Sequence, residues 1–354
     1  MRAYLILEDG SVYEGKSIGA VRDCVCEVVF NTSAVGYVET LSDPSCYGQG
    51  VVLTYPIVGS YGVNISDMES ARIWAKCLIV RELSQAASNF RMEISLSDYL
   101  CRYGVPGIEG VDTRAITKKL RDKGTMAGFL TTCSFEVEEV VQKLKEYKLE
   151  NTLKAMKAVT TTAKENYPGE GKKVALIDFG VKNSVIENLK NRNLDITVYP
   201  ALTSAEEILE SCPDGIILSN GPCNPCDSTE IIDNVKKIYA SDIPVLCLEL
   251  GHQLMALATG GKVEKMKHGH RGSNYPVKFL DKSIVYITSQ NHGYEVTEID
   301  ENVAKVSHVN INDGSIEGLK YTGKKIISVQ FAPGGETGMI FDEFVTMMGG
   351  NLDA

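Results

Sequence analysis

A chain of 354 residues with 44% hydrophobic content can bury a sizeable core, and its length predicts about two domains. A formal charge of −10, from 46 acidic against 36 basic side chains with no long lysine or arginine run, argues against nucleic-acid and anionic-membrane partners. No stretch approaches the roughly 20 apolar residues that span a bilayer, the opening MRAYLILEDGSVYEG lacks the regions of a signal peptide, and ten cysteines scattered through apolar segments read as reduced thiols, so a cytoplasmic protein is expected.

Residues 3–7 and 12–13 read as short strands joined by a turn containing Asp9-Gly10. Residues 26–30 and 50–54 read as further strands, and two amphipathic helices follow. The first covers 95–103; the second covers 113–123, with Asp112 or Thr113 as its N-cap and Gly124 as its stop. The polar stretch 160–173, with Pro168, Gly169 and Gly171, interrupts the hydrophobic periodicity. The expected division is therefore a domain over 1–155, a linker over 156–172 and a second domain over 173–354.

From Val174 onward, apolar runs at 174–178, 196–199, 215–218 and 244–248 alternate with helical patterns at 182–190, 204–211 and 228–240. Such alternation predicts a largely parallel sheet flanked by helices. After Gly261 the pattern turns β-rich, with strands at 285–288, 295–298 and 326–330 and a hairpin turn at Asn312-Asp313-Gly314. The expected class is α/β: a mixed β/α N-terminal domain and a C-terminal domain built on the parallel sheet.

Ligands of such sheets sit at the carboxyl ends of strands, and three strand ends carry informative residues. The run 244–248 ends in Glu249-Leu250-Gly251-His252-Gln253. The run 215–218 ends in Ser219-Asn220-Gly221-Pro222-Cys223-Asn224-Pro225, and the run 326–330 in Phe331-Ala332-Pro333-Gly334-Gly335. They resemble the G-x-C-x-G-H-Q nucleophile elbow, the S-N-G-P-G-D-P loop and the F-H-P-E segment of class I glutamine amidotransferases. Val28-Val29-Phe30-Asn31-Thr32, Gly36-Tyr37, Leu41-Ser42-Asp43-Pro44-Ser45 and Gly107-Ile108-Glu109-Gly110-Val111-Asp112-Thr113-Arg114 narrow the resemblance to the small subunits of carbamoyl-phosphate synthetase. Further matches are Ile177-Asp178-Phe179-Gly180-Val181-Lys182, Ser289-Gln290-Asn291-His292-Gly293-Tyr294 and Val309-Asn310-Ile311-Asn312-Asp313-Gly314. The likeness runs from residue 3 to about residue 345, with a shortened segment after Pro333.

In that family a cysteine thiolate attacks the glutamine side-chain amide, a histidine moves protons, a glutamate orients the histidine, and ammonia leaves through a thioester. The matching positions here hold Glu249, Ala332 and Gly334. A carboxylate is a weak nucleophile toward an amide, and its charge opposes the developing oxyanion. No intact catalytic set, and no glutaminase activity, is expected. Cys247, two residues before the elbow, reads as core, and His292 as a structural hydrogen-bonding residue, because the family also has a histidine there beside a separate base.

The glutamine contacts implied by the resemblance are Ser45, Gly221, Leu250, Gln253, Asn291 and Gly293, with Tyr294 replacing another aromatic. Glu249 and Cys223 intrude on that pocket. Cys223-Asn224-Pro225-Cys226 facing Glu249 would offer three donors for metal or redox chemistry, but a zinc site usually has a second ligand pair, so no metal is expected.

The resemblance implies a large synthetase subunit as partner, using bicarbonate, ATP and, here, free ammonia. The chain has no G-x-x-x-x-G-K-[ST] loop, so ATP and Mg²⁺ are expected on that partner and no cofactor on this chain. A free-standing regulatory or ligand-binding protein and an active glutaminase of unusual chemistry remain the alternatives. Pyrimidine and arginine synthesis both stay open as the pathway.

Overall fold

The structure, a computed structural model, describes residues 1–147 and 152–350 and divides into two compact units, Met1–Glu150 and Asn151–Ala354. In the first unit the elements run β1 (Arg2–Leu7), β2 (Val12–Gly19), β3 (Cys24–Asn31), α1 (Tyr37–Ser42), β4 (Gln49–Leu53), β5 (Ile57–Val58), β6 (Cys77–Ile79) and β7 (Glu82–Leu83). They continue with α2 (Leu96–Arg102), β8 (Pro106–Glu109), α3 (Thr113–Lys123), β9 (Met126–Thr131) and α4 (Val137–Glu146). Seven strands close into a barrel in the order β1-β2-β8-β6-β4-β3-β9, while β5 and β7 form a separate parallel pair.

The local signals act as expected. Gly10, at φ 82, turns β1 into β2. The Asp112 carboxylate caps α3 by accepting from the Ala115 N–H at 3.0 Å, and Gly124 ends the helix at φ 99. Ile116 and Leu120 on the buried face of α3 then pack with Leu5, Val28 and Ile79 of the strands.

The second unit runs α5 (Thr152–Val159), β10 (Glu165–Tyr167), β11 (Lys173–Asp178), α6 (Asn183–Lys190), β12 (Asp195–Pro200), α7 (Ala205–Glu210), β13 (Gly215–Leu218), α8 (Thr229–Ala240) and β14 (Val245–Leu248). It then continues through α9 (Leu250–Ala258), β15 (Lys262–Phe279), β16 (Ile284–Glu298), β17 (Ala304–Asn310), β18 (Ile316–Tyr321), β19 (Ile326–Val329) and α10 (Met339–Met347). The sheet order is β10-β12-β11-β13-β14-β19-β18-β16-β15-β17. The five strands β12, β11, β13, β14 and β19 are mutually parallel, and the rest extend the sheet antiparallel. One apolar layer, including Ile177, Ile216, Val235 and Leu254, lies on one side of the parallel strands; another, including Leu176, Leu189, Leu246 and Phe341, lies on the other.

Two expectations differ from the structure. Residues 156–172, read as a linker, carry the end of α5 and the edge strand β10 within the second unit, and the division falls between Glu150 and Asn151. The glycines that suggested flexibility mark a close backbone approach instead: a Cβ on Gly169 would lie 2.3 Å from the Leu194 carbonyl oxygen, and the Gly171 N–H donates to the Asn193 carbonyl at 2.7 Å. The strands expected at 285–288 and 295–298 are one strand, Ile284–Glu298, paired along β15 with register shifts near His270 and Gly272. Its middle, Ser289 to Gly293, is polar and breaks the apolar alternation that sequence reading depends on.

Candidate functional site

Strands β13, β14 and β19 are neighbours in the sheet, so the three loops at their carboxyl ends lie side by side. At the end of β14 the chain turns sharply into α9. The hinge residue is Glu249, at φ 48 and ψ −104, where a non-glycine residue costs on the order of 1–3 kcal/mol. Its N–H donates to the Val329 carbonyl on β19 at 2.8 Å. Two residues on, the Gly251 N–H donates to the Ser219 carbonyl at 3.1 Å, and a Cβ there would lie 2.4 Å from the Leu218 carbonyl oxygen. This strand, strained turn and helix have the geometry that lifts a nucleophile above a sheet.

The side chain so lifted is a carboxylate with a cationic partner. Glu249 Oε1 lies 2.5 Å from Lys182 Nζ, and the two side chains are only 3% and 7% exposed. Lys182 follows the carboxyl end of β11 and starts α6; its N–H donates to the Asn220 side chain at 3.3 Å, and the Asn220 side-chain amide donates to the Gly180 carbonyl at 2.7 Å. Asp178, whose carboxyl is pushed up by burial, accepts from the Gly180 and Val181 N–H groups and sets this turn. Lys182 lies in a segment that carries the family resemblance, but its pairing with Glu249, 67 residues away, is not encoded in any local pattern. A lysine just past a strand end on the same sheet edge is the signal that would have found it.

The other two triad positions contain no titratable group. The Ala332 N–H bonds the Ser289 carbonyl at 3.0 Å, and Gly334 is extended, with its N–H donating to Thr337 Oγ1 at 3.0 Å. The buried His292 and His252 are engaged elsewhere. His292 Nδ1 meets the Tyr294 carbonyl at 2.8 Å and its Nε2 meets Gln290 Oε1 at 3.0 Å, while His252 Nδ1 meets Ser328 Oγ at 2.7 Å. Burial pulls His292 down to about 4 and His252 to about 3, which keeps both neutral near pH 7. Cys247 is wholly buried in the core layer, and burial holds its thiol well above the ordinary value.

The positions expected to contact glutamine are partly gathered. Gly221 lies against Leu250: a Cβ there would be 2.9 Å from Leu250 Cδ2 and 2.3 Å from the Phe179 carbonyl oxygen. Gln253 Nε2 donates to the Tyr294 carbonyl and to Gln330 Oε1, each at 2.9 Å. Asn291 pairs with Arg271 across the β15–β16 ladder, and a Cβ on Gly293 would lie 2.9 Å from Arg271 Nη2. Ser45 belongs to the first unit, where its N–H donates to Asp43 Oδ1 at 2.8 Å. Cys223, at φ 96, adopts a backbone form that favours glycine. Cys226 is exposed, with its thiol toward the Val263 carbonyl at 3.6 Å. Among the described residues, Cys223, Cys226 and Glu249 form no three-donor group; such groups are Cys24, Cys26 and Cys77, and His270, His292 and Glu317.

Fold and elbow together define a class I glutamine amidotransferase domain, and the family model for Glutamine amidotransferase class-I matches residues 175–344. The model for the Carbamoyl-phosphate synthase small chain, CPSase domain, matches residues 5–130. The chain is 47% identical over 350 residues to the carbamoyl phosphate synthase small chain of Clostridium perfringens, covering 98% of this chain and 99% of that one. It is 42% identical over 355 residues to the carbamoyl phosphate synthase pyrimidine-specific small chain of Bacillus subtilis, covering 98% and 96%. This chain belongs to the carbamoyl phosphate synthase small chain family.

Proposed function

We propose that this chain is a small subunit without glutaminase activity, which docks on a large carbamoyl-phosphate synthetase subunit that makes carbamoyl phosphate from free ammonia, bicarbonate and ATP, with ATP and Mg²⁺ held by that partner. The observation that carries this reading is the Glu249 carboxylate buried at the elbow 2.5 Å from Lys182, where a nucleophile would stand. An ion-paired carboxylate is a poorer nucleophile still, and Ala332 and Gly334 offer no proton carrier. In other hydrolases, losing the catalytic residues costs on the order of 10⁴ to 10⁶ in rate. The surviving Gln253 and Gly221 support a retained scaffold, and Gln253 already spends its amide donors on Tyr294 and Gln330. Among the described residues no helix is long and apolar enough to cross a membrane.

The test is ammonia release from glutamine by the purified chain, alone and mixed with its cognate large subunit, with free ammonia as the comparison nitrogen source. No release in either state, and carbamoyl phosphate formed from free ammonia by a co-eluting pair, is the expected result. Robust release would overturn the loss of activity. Failure to co-elute would overturn the docking role and leave a free-standing regulatory protein. Glu249→Cys alone is expected to stay inactive, because the thiol would still lack a base.

A further inference from the structure

The first unit contains a cluster of three buried cysteines. Cys24 and Cys26 are two residues apart on β3 and so point to the same side of the strand, while Val25 between them is exposed. Cys77 opens β6. Between β3 and β6 lies β4, whose Gly50 pairs with Val28 on one side and Cys77 on the other. A Cβ at Gly50 would lie 2.5 Å from Cys26 Sγ and 2.8 Å from Cys77 Sγ. The missing side chain leaves the gap through which sulfurs from two non-adjacent strands meet, at 3.7 Å. All three sulfurs lie within 4.8 Å of one another and all three residues are buried.

We propose that Cys24, Cys26 and Cys77 form a binding site for a thiophilic divalent d¹⁰ cation of the zinc and cadmium type, which ties β3 to β6 across β4. Zinc–sulfur bonds of about 2.3 Å in a tetrahedral arrangement place their sulfurs about 3.8 Å apart. The Cys26–Cys77 separation is already 3.7 Å, and the third sulfur has less than about 1 Å to travel. A Cys26–Cys77 disulfide fits less well. Two strand spacings of about 4.8 Å separate the backbones, whereas a disulfide needs Cα atoms within about 4.4–6.8 Å.

Binding balances as one M²⁺ taken up and three S–H protons released to solvent, giving a site of charge −1. Three protein ligands leave the fourth position to a solvent molecule. The Cys24 S–H donates to the Lys76 carbonyl at 3.4 Å and the Cys26 S–H to the Gly128 carbonyl at 3.8 Å, and both bonds are given up when the metal enters.

The experiment is an anaerobic titration of the reduced full-length chain with Cd²⁺, read by the ultraviolet thiolate charge-transfer band and by X-ray absorption at the cadmium edge. The expected result is one tight equivalent with three sulfur neighbours. Cys77→Ser should weaken it by about a hundredfold or more, since even outer-shell changes cost about 10–100-fold. The Cys223→Ser/Cys226→Ser double variant should leave it unchanged. Fewer than three sulfurs at the first equivalent, no charge-transfer band, or a band lost with the double variant instead would overturn the site. The sulfur count is taken on the unmodified chain, so the test stands even where Cys77→Ser fails to fold.

Discussion

Two buried polar clusters of the second unit handle charge in different ways. At the elbow, the Glu249 carboxylate is set against the formal positive charge of Lys182. Beneath the β15–β16 hairpin, the wholly buried Glu317 accepts from the Asn310 amide at 2.9 Å and lies 3.5 Å from His270 Nδ1. His270 and His292 converge there on Gln290 Oε1 at 2.9 and 3.0 Å, and Asp313 holds the far side of His270 at 2.8 Å. The elbow is an ion pair, whose members depend on each other being charged. The hairpin cluster is a network of carboxylates, amides and imidazoles, in which the imidazoles can change their charge. The elbow is therefore a rigid electrostatic fixture, whereas the network is where pH should act.

The sharpest way to break the comparison is Lys182→Met. Leaving Glu249 buried without its cation should cost about 3–5 kcal/mol in urea unfolding, while Lys182→Met/Glu249→Leu should return to within about 1–2 kcal/mol of the parent chain. A loss under about 1 kcal/mol for the single variant would mean that the pair is effectively solvated.

The next effect is acid sensitivity. In the folded chain His292 is pulled down to about 4 and His252 to about 3, each from 6.5. The unfolded chain therefore binds more protons at acid pH. Stability contributed by these neutral rings is full above about 6.5 and falls as pH drops toward 4, by on the order of 3 kcal/mol for His292 alone. His270 has the opposite sign. Burial pushes it down, but Glu317 and Asp313 outweigh burial and hold it above its ordinary value, so its stabilisation is present below 6.5 and lost as pH rises through the folded value. Unfolding free energy measured from pH 7 to 4 should fall steeply in the parent chain and less steeply in His292→Asn; parallel curves would refute the assignment.

The sequence made the elbow legible because parallel strands are continuous apolar runs, and the residues ending them must line the sheet edge. Glu249, Ala332 and Gly334 could be placed on that reasoning before any pairing was known. The network was not legible, because its members come from β15, β16, β17 and β18 and meet only through a long bulged hairpin. Ser289 to Gly293 look like a loop in sequence since they are polar, and they are polar because their strand passes through that network. In the first unit, Asp112 and Gly124 announced α3, whereas barrel closure by β1 with β9 pairs residues over a hundred positions apart, which no local period encodes. Lys182 and Glu249 share this difficulty: each residue was visible, and the bond between them was not.

Smaller changes sharpen the contrast. Asn310→Ala removes one hydrogen bond from Glu317 in the network, and with His270 still present the expected cost is about 1–3 kcal/mol, below that of Lys182→Met. The least effect belongs to the surface pair of Lys236 and Asp233 on α8, 2.8 Å apart with side chains 53% and 65% exposed. Its N–O distance is within 0.3 Å of the elbow pair, so distance alone would rank the two as near equals. Desolvation separates them: water screens the α8 pair and solvates whichever partner is left, so Lys236→Met should cost at most about 0.5 kcal/mol. The ratio of the two lysine variants, measured side by side and again at high salt, isolates burial as the cause. The α8 value should shrink further as salt screens it while the elbow value holds, and equal salt sensitivity would show that solvent reaches Glu249.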